Sequence, residues 1–327
     1  MSAAAEKLPD NAREVLIGVN PHAGAGNRRA IVEEFCRQLA VLDFHAEVVT
    51  DVDLLAEKAV QLQAGGRLRA VVAAGGDGTI RLLAQRTLPG APLFVLPLGT
   101  ENLLSKYLEL TADPWQSARV IAEGVAVQLD AGEANGKLFT LMAGCGFDAD
   151  VVRRLHGARK GNIHHLSYAQ PILDAIRKYE YPELRVYCAS VDAADGELTE
   201  QITARWVFVV NLPRYAGGLS FAKDASGSDG LLDVCTFKEG SLWYGLVYLG
   251  GMLLGQHEGM QDFQHVRTRR LRIEAAGPAP YQLDGDPGGE LPVEIRVLPG
   301  RIKLLVTHEW ATRHGLHTPD DLKEPAS

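Results

Sequence analysis

A chain of 327 residues that is 46% hydrophobic and 23% charged is large enough for two folded domains with cores of their own. Its 41 acidic and 33 basic side chains leave a net charge of −8, which argues against a nucleic-acid partner and against plain electrostatic adhesion to anionic membranes. The four cysteines, Cys36, Cys145, Cys188 and Cys235, form no CxxC pair, so neither a zinc site nor a disulfide framework is indicated, and reduced thiols in a cytoplasmic protein are expected.

Taken in order, residues 1–13 lack the apolar core of a signal peptide. Residues 15–19 read as a strand, 20–27 as a glycine-containing loop, and 28–42 as a helix with Ile31, Val32, Phe35, Leu39 and Leu42 at helical spacing. A strand at 45–49 ends at Thr50, and a helix covers 54–62. Residues 68–74 are an almost unbroken apolar run, which suits a strand buried on both faces. Gly75-Gly76-Asp77-Gly78-Thr79 follows, with Thr79 as the expected N-cap of a helix carrying Ile80, Leu82, Leu83 and Leu88. Residues 93–96 give a further strand, Pro97 to Asn102 its exit loop, and 103–108 and 113–122 two more helices, the second with Pro114 at its first position. Strands alternating with helices through short loops imply a parallel, doubly wound sheet, whose ligands bind outside the carboxyl ends of the strands.

Near residue 125 the pattern changes. Strands are expected at 138–142, 184–191, 203–210, 231–237, 271–275, 293–297 and 302–306, with hairpin signals at Asn135-Gly136 and Asp195-Gly196. Helices are expected at 166–179 and 242–254. The second of these is apolar on nearly every face and reads as a core helix first, or as a surface meeting a membrane or an acyl chain. No apolar run is long enough to span a bilayer with its flanks. The expected division is an α/β domain over 1–129, a mainly antiparallel β-sandwich over 130–310 and a polar tail over 311–327.

The glycine loop at 75–79 carries the chemistry. Glycines let backbone N–H groups approach a ligand, and a helix start adds the positive end of its dipole, which together make an anion site. A carboxylate beside phosphate repels it unless a metal ion bridges the two, or unless Asp77 serves as proton acceptor or hydrogen-bond anchor. A Mg–nucleotide site follows from that combination. There is no GxxxxGK[ST], HExxH or GxSxG, the loop at 20–27 has no third glycine at the dinucleotide spacing, and His156, His164 and His165 read as surface histidines.

Seven motifs then occur in order: Asn20 to Gly26 (NPHAGAG), Gly75 to Thr79 (GGDGT), Pro97 to Asn102 (PLGTEN), Gly144 to Ala149 (GCGFDA), Tyr215 to Gly218 (YAGG), Asp229 to Asp233 (DGLLD) and Gln282 to Pro287 (QLDGDP). Together they resemble the diacylglycerol kinase catalytic-domain family, which includes bacterial soluble lipid kinases and is related to sphingosine and ceramide kinases. The resemblance covers roughly residues 13–308. It implies a nucleotide-binding α/β domain followed by a β-sandwich domain of the NAD kinase and diacylglycerol kinase type. It implies ATP on Gly75, Gly76, Asp77, Gly78, Thr79, Ile80, Arg81 and Leu82, on Gly99, Thr100 and Asn102, on Asn20, and more loosely on Thr50. Mg²⁺ is implied at Ser226, Asp229 and Leu231, oxygen ligands being suited to a hard cation. Asp286 matches the last acid of the family's DGE and is the implied proton acceptor from a lipid hydroxyl, with Asp284 or Asp77 as alternatives.

This chain departs from the family where Arg81 and Leu82 replace Asn and Glu, where Leu103 replaces Asp, and where Asp286 replaces Glu. The expected function is an ATP- and Mg²⁺-dependent kinase of a diacylglycerol-like or sphingoid lipid, cytoplasmic or peripheral at the inner membrane face. Its expected partners are the lipid substrate and a transient membrane surface, with a homodimer allowed. The rivals are a kinase of a soluble substrate such as NAD and a nucleotide- or lipid-binding protein without turnover.

Overall fold

In the computed structural model, which describes residues 5–19, 27–158, 179–191, 197–213 and 221–318, the chain divides into two units, Met1–Asp130 with Pro299–Ser327, and Ala131–Leu298. The first unit opens with β1 (Glu6–Lys7), β2 (Glu14–Val19), α1 (Asn27–Val41), β3 (His45–Val49), α2 (Val52–Ala64), β4 (Leu68–Gly75), α3 (Asp77–Arg86), β5 (Pro92–Pro97), α4 (Leu103–Tyr107) and α5 (Pro114–Glu123). The strands β3, β2, β4 and β5 lie side by side in that order and are parallel throughout. Every residue of β4 is buried, as an apolar run covered on both faces requires. Helices α1 and α5 pack together, as do α2 and α3. The chain order reverses between β2 and β4, and a reversal of this kind opens a crevice at the carboxyl ends of the two strands.

Helix ends here are set by local chemistry. Asp51 caps α2 by accepting from the N–H groups of Asp53 and Leu54 at 2.9 and 3.0 Å. Asp113 caps α5 in the same way through Gln116, and Pro114 takes the first helical position. The carboxyl end of α5 meets Arg69, a fully buried guanidinium on β4 that donates to the carbonyls of Ile121 and Ala122 at 2.7 and 2.6 Å.

The second unit begins within β6 (Val125–Ala134) and continues through β7 (Lys137–Phe139), β8 (Met142–Gly146), α6 (Phe147–Ala158), β9 (Leu184–Ala189), β10 (Leu198–Ala204), β11 (Trp206–Val210), β12 (Leu232–Phe237), α7 (Leu242–Leu253), β13 (Phe263–Thr268), β14 (Arg270–Ala275), β15 (Pro280–Leu283), β16 (Asp286–Glu290) and the first part of β17 (Val293–Leu305). One antiparallel sheet runs β13-β12-β11-β8-β15-β16. Facing it is a second set, β10-β9-β14-β17. Cys145, Val207 and Val209 from the first sheet, and Val186, Leu271 and Ile295 from the other, share one core, which makes this unit a β-sandwich.

Two differences from the sequence reading have clear causes. The stretches 293–297 and 302–306 are one strand, and its last part returns to the first unit, where Lys303 and Leu304 pair in parallel with Pro92 and Leu93 of β5. Residues 299–327 therefore group with 1–130 rather than with a domain ending at 310, and α8 (His308–Arg313) packs its buried Trp310 against α4, donating to the Tyr107 carbonyl at 2.9 Å. Helix α3 starts at Asp77 with Gly76 as N-cap, so Thr79 lies inside the first turn instead of capping it. All but the last residue of the expected helix at 166–179, with His164, His165 and the Asp195-Gly196 turn, lie outside the described residues.

Candidate active site

The glycine loop leaves β4 and enters α3 with the Thr79 N–H bonded to the Gly76 carbonyl at 2.9 Å. A cavity of about 170 Å³ opens beside it, lined by Gly18 and Val19 of β2, Val49 of β3, Thr50, Val52 of α2, and Gly78, Thr79, Leu82 and Leu83 of α3. Four residues expected to touch nucleotide, Thr50, Gly78, Thr79 and Leu82, thus meet at one place. The cavity walls are otherwise apolar, and no sequence signal beyond the carboxyl-end rule pointed to Gly18, Val19, Val49, Val52 and Leu83. The arrangement offers backbone N–H groups and a helix dipole for an anion, with two hydroxyls and apolar walls for the rest of the ligand. Ile80 is fully buried beneath the loop, so its side chain serves the core and only its backbone can face a ligand. Asn20 lies outside the described residues.

The Pro97–Asn102 loop is fixed against the first one. The Leu98 N–H donates to the Gly75 carbonyl at 3.0 Å. The Asn102 side chain closes its own loop, accepting from the Gly99 N–H and donating to the Gly99 carbonyl, both at 2.9 Å, with its backbone at φ 51°. A Cβ on Gly99 would stand 2.4 Å from the Gly76 Cα and 2.5 Å from Asn102 Oδ1. Gly99→Ala is therefore expected to lose about 1–3 kcal/mol of stability by forcing the two loops apart, and to weaken nucleotide binding; thermal unfolding and equilibrium binding of labelled ATP would read both. Thr100 is exposed on this loop.

Asp77 joins the two loops. Its Oδ2 accepts from the Leu103 N–H and its Oδ1 from the Leu104 N–H, both at 2.9 Å, so the carboxylate caps α4 from a distance of 26 and 27 residues. Of the three sequence alternatives for Asp77, this geometry is that of a hydrogen-bond anchor. Leu103, which replaces the family's acid, supplies one of the two donors from its backbone, so the anchor survives that substitution. Burial raises the Asp77 carboxyl above its ordinary 3.8, while the Leu104 and Leu103 N–H groups pull it down. Since the folded value is the higher one, the Asp77 contribution to stability is most favourable below 3.8, falls as pH rises from there through the raised folded value, and is level above it. Unfolding by urea from about pH 3.5 to about pH 7 should show wild type losing ground to Asp77→Asn over that window; a gap that widens with pH would contradict it.

In the second unit, Asp284 and Gly285 have φ of 52° and 84° and form the two-residue turn between β15 and β16. Asp284 does not present a vacant carboxylate. Oδ2 accepts from the N–H and hydroxyl of Thr140 at 2.7 and 3.0 Å, and Oδ1 from the N–H groups of Leu141 and Met142 at 2.8 and 3.0 Å. In this geometry Asp284 is a clamp on the β7–β8 connection. Asp286 follows as the first residue of β16, paired with Leu283 and half-buried. Lys137 donates to the Gly288 carbonyl at 2.8 Å on the same hairpin.

In the segment implied for Mg²⁺, the one carboxylate is already engaged. Asp229 Oδ1 accepts from the Leu231 N–H at 3.0 Å, and Oδ2 is ion-paired with Arg267. The Ser226 hydroxyl meets that of Ser228 at 3.3 Å. A guanidinium already neutralises the only carboxylate of the expected set, and among the described residues no three His, Cys, Asp or Glu side chains gather into a metal-binding group. Four residues further on, in β12, Asp233 is buried against His265 at 2.7 Å.

Helix α7 is neither wholly core nor wholly surface. Tyr248 is buried against Phe237 at 4.3 Å between ring centroids and bonds to Asp262, while Gly245 leaves room for Trp206 and Gly251 for Met260. On the other side Trp243, Leu246, Val247 and Leu253, with Leu254 at the cap, are exposed at helical spacing, Trp243 by 70% and Leu254 by 73%. Among the described residues no helix is long and apolar enough to cross a membrane.

Comparison with known proteins adds to this geometry. Residues 14–134 match the diacylglycerol kinase catalytic domain, and residues 142–306 match the YegS C-terminal NAD kinase beta sandwich-like domain. A diacylglycerol kinase of Bacillus subtilis (strain 168) is 28% identical over 246 residues, 74% of this chain and 78% of the relative. A Pseudomonas aeruginosa PAO1 protein named "Probable lipid kinase YegS-like" is 29% identical over 302 residues, 90% of this chain and 94% of its own. Among solved structures, a diacylglycerol kinase from Bacillus anthracis str. Sterne superposes with a TM-score of 0.64 at 19% identity, over 91% of this chain and 98% of that one, which speaks to the fold.

Proposed function

Because the chain belongs to the diacylglycerol kinase catalytic-domain family, with the YegS-type C-terminal domain following, we propose that it is an ATP-dependent lipid kinase acting on a hydroxyl of a diacylglycerol-like or sphingoid lipid. The observation that carries this reading is the meeting of the glycine loop with Thr50, Thr79 and Leu82 around one cavity at the carboxyl ends of parallel strands. A nucleotide suits it: phosphates on the backbone N–H groups at the start of α3, the remainder against the apolar walls. Gly76, Gly78, Gly99 and Asn102 shape the loops, and Arg81 lies in the first turns of α3. Mg²⁺ arrives on the triphosphate as part of the substrate.

In the reaction, the lipid hydroxyl oxygen attacks the γ-phosphorus. The new O–P bond forms as the bond to the β,γ-bridging oxygen breaks, ADP leaves with that electron pair, and the hydroxyl proton passes to the Asp286 carboxylate. Charge neutralisation and positioning supply most of the rate in such a transfer.

The exposed stripe of α7 is the surface by which the protein meets the membrane that holds its acceptor, Trp243 and Tyr244 being suited to the headgroup level. Trp243→Ser with Leu253→Ser should lower binding to phosphatidylcholine–diacylglycerol vesicles about tenfold or more, with ATP affinity unchanged. Equal vesicle binding by wild type and the double variant would remove α7 from the reading.

The deciding experiment is transfer of label from γ-labelled ATP with Mg²⁺ into a mixed lipid extract and, separately, into NAD. A labelled lipid supports the proposal and identifies the product. Label in NAD alone would make the acceptor soluble, which the NAD kinase-like description of the second domain keeps in view. ATP bound without transfer to either would leave a binding protein.

A further inference from the structure

We infer that Gln282 and Asp148 form a positioning pair that holds the turn presenting Asp286, so that the proposed base is oriented by a hydrogen-bonded link from helix α6. The inference rests on the kinase reading for its catalytic consequence, but the link itself is a matter of geometry. Gln282 is fully buried, and a buried amide must find partners for both its ends. Its Nε2 donates to Asp148 Oδ2 at 3.0 Å, and its Oε1 accepts from the Gly285 N–H at 2.7 Å. Gly285 is the residue immediately before Asp286.

The surroundings are built for this pair. Gly144 of β8 lies opposite Gln282 of β15, and a Cβ there would stand 2.4 Å from Asp148 Oδ2 and 2.8 Å from Gln282 Nε2. Only a glycine leaves that space. Asp148 sits in the first turn of α6, where the helix dipole favours a negative charge, and α6 packs on both β15 and β16. The turn is thus gripped from two sides: the Asp284 carboxylate fastens it to the β7–β8 connection, and Gln282 fastens the Gly285 amide to α6. With the second grip gone, the residue after Gly285 keeps its chain position and loses its fixed direction. Gln282 and Asp148 are positioning residues in this scheme, acting through the turn.

Exchanging the two functional groups tests it. Gln282→Glu sets two carboxylates against each other while keeping an acceptor for Gly285. Asp148→Asn with Gln282→Glu restores the hydrogen bond with the donor on the opposite side. The first variant should lose about tenfold or more in kcat with KM for ATP unchanged, and protection of the Gly285 amide from hydrogen exchange should fall by a similar factor. The double variant should recover to within about threefold of wild type in both. Should Gln282→Glu fail to fold, the double variant still decides the matter, since the restored bond predicts a folded and active protein. Unchanged kcat and Gly285 protection in Gln282→Glu would overturn the inference. So would a folded double variant with a protected Gly285 amide but no recovered kcat, because the Asp148 carboxylate would then be acting on its own account. A wild type that labels no lipid would sink the kinase reading instead, and the pair would stand or fall on the Gly285 exchange alone.

Discussion

Replacing Asp284 by alanine is expected to cost the β-rich unit about 3–4 kcal/mol, a large share of the stability of a typical domain. The carboxylate receives three backbone N–H groups and one hydroxyl from Thr140, Leu141 and Met142. Alanine leaves all four donors without that acceptor, and each charge-assisted bond in a partly solvated site contributes on the order of 1 kcal/mol. The backbone adds to the loss, since φ at Asp284 is 52°, a region that asparagine and aspartate tolerate far better than alanine. Asp284→Asn keeps the conformation and one acceptor oxygen, so it should recover about half of the loss. Urea unfolding of the two variants measures the difference. A role in chemistry would reverse the pattern in kinetics: a well-folded Asp284→Asn protein with kcat reduced a hundredfold would return Asp284 to the catalytic group.

The contrast between Asp284 and its neighbours shows what the sequence could and could not disclose. Alternation of apolar runs and helical spacing is a local signal, so the parallel sheet, the glycine loop at 75–79 and the start of α5 at Pro114 are legible. So is the type of the second unit, and Asn135-Gly136, a hairpin signal in the sequence, forms a turn with φ of 46° and 80°. Asp284-Gly285 has the same turn geometry inside a chemically suggestive motif. The partners of Asp284 lie 142 to 144 residues earlier in the chain, and those of Asp77 lie 26 and 27 residues later. Nothing in a motif records which distant N–H groups a carboxylate will accept, so an anchor and a base look alike until the chain is folded. Gln282 and Asp148 lie inside motifs that, for the same reason, show no role for them in sequence. The ion pair of Asp229 with Arg267 was hidden in the same way, by a separation of 38 residues. The return of the last part of β17 to the first unit was illegible because a strand's partners are set by tertiary pairing, and a single apolar stretch fits either sheet.

Asp286→Asn is expected to lower kcat about 10²- to 10⁴-fold, the usual contribution of a positioned proton acceptor, with little change in KM for ATP or in unfolding temperature. The stability expectation follows from its place: Asp286 is half-buried at the start of β16, pairs with Leu283 through the backbone, and asparagine preserves its shape. Asp286→Glu would restore the acid that the family carries there, one methylene longer, and should keep most of the activity. Asp77→Asn must behave differently if the two acids have different tasks. Both Asp77 oxygens accept N–H groups at the start of α4, and an amide can replace only one of them, its NH₂ facing the other donor. Its loss should therefore loosen the Gly99–Asn102 loop, raising KM for ATP and lowering stability along with kcat. The pair of variants separates the roles by which parameter moves. Were Asp286→Asn to keep its kcat while Asp77→Asn lost it at unchanged KM and stability, the proton would be going to the acid of the glycine loop, and the bonds to Leu103 and Leu104 would be what holds that base in place.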